Sequence, residues 1–499
     1  MSIRRARSLD AALAAWALCV AGCESNGAPL LIEYPIEDGG VTEEDAASEV
    51  QGQGDAPEGG AMDAPDQDNP QYPVALSDGA CFIEGVTTDL HLVFSRELDL
   101  MVWPEGASSA VLAVKDFDSS TDMRRVRGRF LGVWTGADVT SLTLSVWSKA
   151  GGLEEIAPKA IGQALYARPA ANEYAYLVRG ADVLHADVYA TQAGQGKGTR
   201  VVAQLDTGVV EQACSPWIAY SNDDLLVAGC PQDSSVPRVA GFAFDGSGQT
   251  RVLLDNSAPG MWLDHARARV LVQTASSSSL RSLTDATAPL DLGGPVLQAR
   301  FSEDDARVVY LGANGVARRA QTKSPASEVV LGAASSVMGM SGDGRFVVLA
   351  KQAQTSDGRS DLILVDSDAT PAASATLAPS EAVLLGIAAD GGQVVYRLRP
   401  SYPVFGADEL YIASTPLGVS TRISDRADGV VFDGAVVYWL EFDQAQKAST
   451  LKASRLSDPA VVLELGGGFD ALTTHLRVAG KHLYVANKLG LWDYGALSP

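Results

Sequence analysis

From about residue 156 to its end the chain repeats one phrase, a polar or acidic turn followed by a run of β-branched and aromatic residues. Phe301-Ser-Glu-Asp-Asp-Ala-Arg-Val-Val-Tyr310 is one copy. Others are Met340-Ser-Gly-Asp-Gly-Arg-Phe-Val-Val-Leu349 and Ala389-Asp-Gly-Gly-Gln-Val-Val-Tyr396. Marking the first apolar residue after each turn gives Tyr174, Leu225, Val270, Val308, Phe346, Val394, Val436 and Leu483. The intervals are 51, 45, 38, 38, 48, 42 and 47 residues. Asp and Gly suit such turns because they tolerate the backbone angles of tight hairpins. Runs such as Val-Val-Tyr suit strands covered on both faces. No helical periodicity of useful length follows the N-terminal segment, so the folded body is expected to be all-β.

A spacing near 44 residues is that of four-stranded propeller blades, which recur at about 40–50 residues. In the fourth copy Val296 to Phe301 reads as the inner strand and Glu303-Asp-Asp305 as the hairpin. Val308 to Leu311, Gly315 to Gln321 and Glu328 to Leu331 then form the second, third and fourth strands. The last copy stops after Leu489-Gly-Leu-Trp-Asp-Tyr494, one strand short, so another segment must supply the missing strand or leave an open edge. Leu153-Glu-Glu-Ile156 is the expected donor. The reading is therefore a β-propeller over 151–499, with eight blades favoured and seven the alternative. Residues 78–150 carry strand-like pieces out of step with the repeat, among them Leu90 to Phe94, Leu98 to Trp103 and Leu142 to Trp147. They are expected to form a small β-sandwich-like domain, or else an irregular first blade.

The phrase resembles the TolB-type, WD-like propeller repeats of bacterial envelope proteins, which carry a pattern like F-S-P-D-G-K-x-I-A-Y. Phe301 to Tyr310 and Ser341 to Val348 match best. The proline is missing throughout, and Leu263-Asp-His-Ala-Arg-Ala-Arg-Val270 has also lost the glycine. The resemblance implies the fold and an inclination to protein contacts. It carries over no activity and no binding residue.

The N-terminus has the form of an export signal. Arg4, Arg5 and Arg7 precede a short apolar run, Ala11 to Val20, which ends in Val20-Ala21-Gly22-Cys23. The run is too short for a permanent membrane helix, which needs about 20 apolar residues. Val-Ala-Gly-Cys resembles a bacterial lipobox, which implies cleavage after residue 22 and a lipid on Cys23. Residues 23–77 follow with thirteen carboxylates and no Lys or Arg. That composition reads as a disordered acidic tether holding the body roughly 40 Å from its anchor. The expected address is the bacterial cell envelope, with the outer membrane as the site of the anchor.

The formal charge of −23 argues against nucleic acid, whose recognition relies on basic neutralisation of phosphates. The body alone, 78–499, carries −12, from 35 Lys and Arg against 47 Asp and Glu. Of five cysteines, Cys19 lies in the signal and Cys23 at the anchor, leaving Cys81, Cys214 and Cys230. Cys214 and Cys230 flank a hairpin and could form a disulfide worth roughly 3 kcal/mol, with Cys81 left over.

Catalytic and metal motifs do not assemble. Gly339-Met-Ser-Gly-Asp343 fails as a hydrolase elbow at its last position. Gly194 to Thr199 lacks the spacing of a phosphate loop. Asp116 to Asp122 lacks the Gly and Glu of a calcium loop. His91, His185, His265, His475 and His482 show no metal spacing. Neither cofactor nor metal is expected. One constellation remains: Trp217, Trp262, Arg300 and Met338 each stand eight residues before a mark, on four successive inner strands. Two indoles and a guanidinium near a central channel could hold a sugar or a peptide, although packing between blades also calls for bulky side chains there. The functional expectation is a monomeric, non-catalytic scaffold binding an envelope protein or polysaccharide. The alternative is a glycan-active hydrolase or lyase working at the channel mouth.

Overall fold

The computed structural model describes residues 73–497, apart from 118–121, 139–140, 150, 169–170, 181–183, 208–215, 231–236, 244–246, 258–259, 285–286, 352–359, 389, 399–407, 417, 444, 446 and 471–472. Cys23, the signal, Cys214 and most of the proposed tether lie outside the described residues. Within them every regular element is a strand, and no helix is long and apolar enough to cross a membrane.

Seven antiparallel sheets hold four strands each, and an eighth holds ten. The large sheet divides into three overlapping units because two of its strands are long, Ala373–Ile387 and Val419–Phe432. The first part of Ala373–Ile387 pairs with Ser360–Asp366 as the outermost strand of one unit. Its last part pairs with Gln393–Leu398 as the innermost strand of the next. Val419–Phe432 does the same between Asp408–Ser414 and Val436–Asp443. Ten four-stranded blades result: 81–114, 123–157, 160–206, 217–255, 261–293, 296–333, 336–378, 382–424, 427–469, and finally 475–493 completed by 74–78.

The packing shows that these ten form one closed ring. Ten buried apolar clusters exist, and each joins two successive blades. The last of them sets Tyr484, Ala486 and Leu491 of blade 10 against Cys81, Leu92, Phe94 and Met101 of blade 1. The continuous apolar runs follow from this arrangement. On Arg307–Gly312, Val308 and Tyr310 face blade 5 while Val309 and Leu311 face blade 7. A strand covered on both faces must be apolar at every position. Each such side chain taken from water contributes about 1.5–3 kcal/mol, and no blade could cover its faces alone.

The expectation of an all-β propeller holds, and the eight marked repeats are blades 3 to 10. The ring is larger because 81–157 supplies two further blades of the same strand order, where a sandwich-like unit or a single irregular blade was expected. The last blade does lack a strand, but its donor is Val74–Asp78, which pairs antiparallel with Gly490–Asp493. Leu153 to Ile156 cannot serve, since Gly152–Ala157 is already paired to Thr143–Ser148 as the outer edge of blade 2. The closing strand thus begins inside the stretch first read as tether.

Candidate functional site: the hairpin rim and the inner strands

The hairpins joining the first and second strands of blades 5 to 8 share one geometry. Asp264, Ser302, Ser341 and Ala388 each donate a backbone N–H across the loop, to Arg269, Arg307, Phe346 and Gln393. The fourth loop residue is left-handed in all four: Arg267 (φ 52°), Asp305 (54°), Gly344 (71°) and Gly391 (75°). That requirement explains the recurring Gly and Asp. Where blade 5 has lost its glycine, Arg267 takes the same conformation and donates to the Tyr220 carbonyl at 2.5 Å.

Four carboxylates of this rim are engaged by the protein itself. Asp304 accepts from the Ser302 hydroxyl (2.6 Å) and the Ala306 N–H (3.0 Å). Asp343 accepts from the Ser341 hydroxyl (2.6 Å) and the Arg345 N–H (2.9 Å). Asp390 accepts from the Gly392 N–H at 2.8 Å. Asp305 reaches the neighbouring hairpin, where it accepts from the N–H groups of His265 and Ala266, both at 2.7 Å. Further links between hairpins run from the Asn222 amide to the Ala266 carbonyl (2.7 Å) and from the Glu303 N–H to the Gly342 carbonyl (2.7 Å). The Ser302 hydroxyl holds Asp304 below the usual carboxylate range, and Arg345 does the same to Asp366. Burial pushes Asp368 up, but Arg319 and Arg307 outweigh it and hold that carboxyl low. Asp264 is the exception: it is 2 % exposed, and burial raises its pKa.

The first strands of neighbouring blades lie against one another and form the inner side of the ring. Trp217, Trp262, Arg300 and Met338 all lie on such strands, and all are half-buried. Equal spacing in sequence did not make them equivalent. Trp262 and Arg300 are, because they pair with Leu271 and Val309 across loops of six residues, 264–269 and 302–307. Trp217 pairs with Ala228 across a loop of only four residues, 221–224, and so sits two positions deeper. Met338 falls at an irregularity between Val337 and Gly339 and packs between blades 7 and 8. Trp217 packs between blades 4 and 5, and Trp262 between blades 5 and 6.

Among the described residues Arg300 makes one hydrogen bond, from Nε to the Val337 carbonyl of blade 7 (3.1 Å). No carboxylate pairs with it among the described residues. Burial pulls its pKa down, and no neighbouring charge contributes. Beside it is Gln298, which sequence reasoning missed. Its Oε1 accepts from the Val337 N–H (2.8 Å) and the Ser336 hydroxyl (3.1 Å), and its Nε2 donates to the Val337 carbonyl (3.0 Å).

No protein-family model matches the chain, and no curated protein is similar to it in sequence. The likenesses are to solved structures, and they concern shape only. A eukaryotic initiation factor shares 10% identity over 78% of this chain and 88% of its own, with a TM-score of 0.40. The β-propeller domain of the Trilobed protease from Pyrococcus furiosus shares 11% over 69% of this chain and 96% of its own, at 0.30. The tricorn protease shares 11% over 84% of this chain and 52% of its own, at 0.29.

The remaining sequence candidates fall into structural places. Gly194 to Gly198 lies in the turn before Thr199–Asp206, and Gly339 to Asp343 runs from the end of Ser336–Met340 into the blade 7 hairpin. Among the described residues no three of His, Cys, Asp and Glu cluster as metal ligands would. His91 is buried and accepts the Glu105 N–H on Nδ1 (3.0 Å), with its ring edge-on to Trp147. His482 pairs with Asp493 at 2.6 Å, and His475 packs on Phe82 with ring centroids 4.0 Å apart. Cys230 is disulfide-bonded, and Cys81 is a buried free thiol.

Proposed function

We propose that the protein is a non-catalytic scaffold of the bacterial cell envelope, held by a lipid on Cys23 and presenting its propeller to an envelope protein or polysaccharide. One contrast carries the binding part of this reading. Asp304, Asp343 and Asp390 are held by backbone N–H groups and hydroxyls, as turn-forming carboxylates are. The inner strands, by contrast, hold half-buried indoles and a guanidinium with no carboxylate partner among the described residues. A large, rigid, closed ring suits recognition, because its contacts are set in advance of binding. The anchor part rests on Val20-Ala21-Gly22-Cys23 at the end of a short apolar run.

Two experiments test it. Mass spectrometry of the mature N-terminus should find Cys23 first and diacylated; an unmodified cysteine, or cleavage elsewhere, removes the anchor. Immobilised 73–499, which includes the closing strand, should retain a protein or polysaccharide from envelope extracts. Turnover of envelope glycans by the purified ring would favour the hydrolase or lyase instead.

A further inference from the structure

We infer that blade 1 is an acid-sensitive segment of the ring: both of its interfaces weaken as His91 and His475 take up protons, so mild acid opens the ring there first.

The two histidines flank the same blade. His475 lies on the innermost strand of blade 10 and packs on Phe82, on the innermost strand of blade 1, with ring centroids 4.0 Å apart. His91 ends the first hairpin of blade 1 and sets its ring edge-on to Trp147 of blade 2, at 5.9 Å. Blade 1 therefore meets each neighbour through one imidazole against one aromatic ring.

The bonding of His91 leaves no place for a second proton. The residue is 1 % exposed. Its Nδ1 accepts the Glu105 N–H at 3.0 Å, so the neutral ring carries its proton on Nε2, which has no hydrogen-bond partner among the described residues. An imidazolium would set an Nδ1–H against the Glu105 N–H, donor facing donor, and bury its charge without an acceptor. Of the charged groups around it, Lys149 of blade 2 repels a further cation, and Asp89 is engaged by Arg129 of blade 2 at 3.0 Å. Burial first, and then Lys149, hold the His91 pKa below the ordinary 6.5, against Asp89 and Glu105.

His475 likewise has no bonded carboxylate among the described residues. On the strands beside it, Glu84 of blade 1 is paired with Arg124 at 2.5 Å, and Asp428 of blade 9 accepts the Gly429 N–H at 2.8 Å. Arg477 on its own strand is a like charge, and the Cys81 thiol of blade 1, pushed up by burial, stays neutral. Burial alone pulls the His475 pKa down. His265 and His482 differ, since each is bonded to a carboxylate, Asp305 at 3.2 Å and Asp493 at 2.6 Å.

The sign follows from the lowered folded values. Above about pH 6.5 both rings are neutral in the open and the closed protein, and pH has no effect through them. Below it the opened segment binds protons that the closed ring refuses. Each histidine then shifts the equilibrium toward opening by up to about tenfold per pH unit, until its folded value is reached. The paired rim carboxylates titrate lower, so the two effects separate along the pH axis.

The test uses the full chain and measures amide hydrogen exchange, scaled for the intrinsic effect of pH. Between about pH 7.5 and about pH 5, protection of 81–114 should fall about tenfold or more, with 475–487 following and 261–378 unchanged. His91→Asn keeps an acceptor for the Glu105 N–H and His475→Phe keeps a ring on Phe82, and neither titrates in this range. The double variant should hold at about pH 5 the protection it has at about pH 7.5. The histidine resonances of the parent give a reading that needs no variant: His91 and His475 should titrate only together with the loss of protection in 81–114. The inference is overturned if protection is lost evenly around the ring or first in another blade, or if 81–114 stays protected in acid. It is also overturned if His91 takes up its proton with protection intact, or if the folded double variant loses protection as the parent does.

Discussion

The hairpin rim and the inner wall of the ring are both rich in charge and differ in how that charge is satisfied. On the rim, Asp304, Asp305, Asp343 and Asp390 each accept a nearby N–H or hydroxyl. On the wall, Arg300 has among the described residues a single hydrogen bond, to a carbonyl that Gln298 also reaches. The comparison teaches that recurrence is a poor guide to function in a repeat protein. A residue that returns in every blade serves the fold of the blade, while one that breaks the pattern and lacks a partner is where binding is to be sought.

The comparison presupposes a closed ring, so the largest effect should come from opening it. A chain that begins at Gly79 loses Val74–Asp78 and uncovers the edge of Gly490–Asp493. It should lose about 4 kcal/mol or more, or associate through the open edge, as read by denaturation and sedimentation. Next comes Gln298→Ala, which strips the partner from the N–H of Val337, a residue with no exposed surface. The expected cost is about 2–3 kcal/mol in urea unfolding, against none for Arg300→Met. If Arg300→Met costs as much as Gln298→Ala, the guanidinium is structural and the contrast with the rim is lost. Asp305→Ala should cost about 2 kcal/mol, since it frees the N–H groups of His265 and Ala266 together.

The smallest effect is a pH dependence. Asp304, Asp366 and Asp368 have depressed folded pKa values. Their stabilisation is therefore complete above the ordinary carboxylate range and lost as pH falls through the folded values. Asp264 has a raised value, so its contribution has the opposite sign: its ionisation costs stability, and acid relieves it. Asp304→Asn should thus flatten the acid limb of a stability–pH curve, and Asp264→Asn should steepen it.

Much of this was legible before the structure. The hairpin phrase is sharpest in blades 6 to 8, where the left-handed fourth loop residue is Asp305, Gly344 or Gly391. Blade 1 also turns on a left-handed fourth residue, but it is Leu90 (φ 60°), and blade 2 turns in two residues, so neither spells the phrase. Blade 1 closes through Thr87, whose Oγ1 accepts the His91 N–H at 3.0 Å, and blade 2 turns through Gly128 at φ 53°. The register of Trp217 was misjudged because residue spacing counts loop length together with strand position, and its loop is two residues shorter. Gln298 stayed hidden because its importance lies in the backbone of the next blade. The closing strand stayed hidden because it is remote in sequence from its partner. The fused strands Ala373–Ile387 and Val419–Phe432 carry no turn where one blade passes into the next.

The closing strand has a mechanical consequence. Val74–Asp78 is the first strand among the described residues, and Val74 is its first paired residue, opposite Asp493. Tension entering from the N-terminal side reaches this short pairing before it reaches any other sheet. The molecule therefore carries its load on the one seam where its two ends meet, and under sufficient pull it would part there, with the other nine blades still joined by covalent chain.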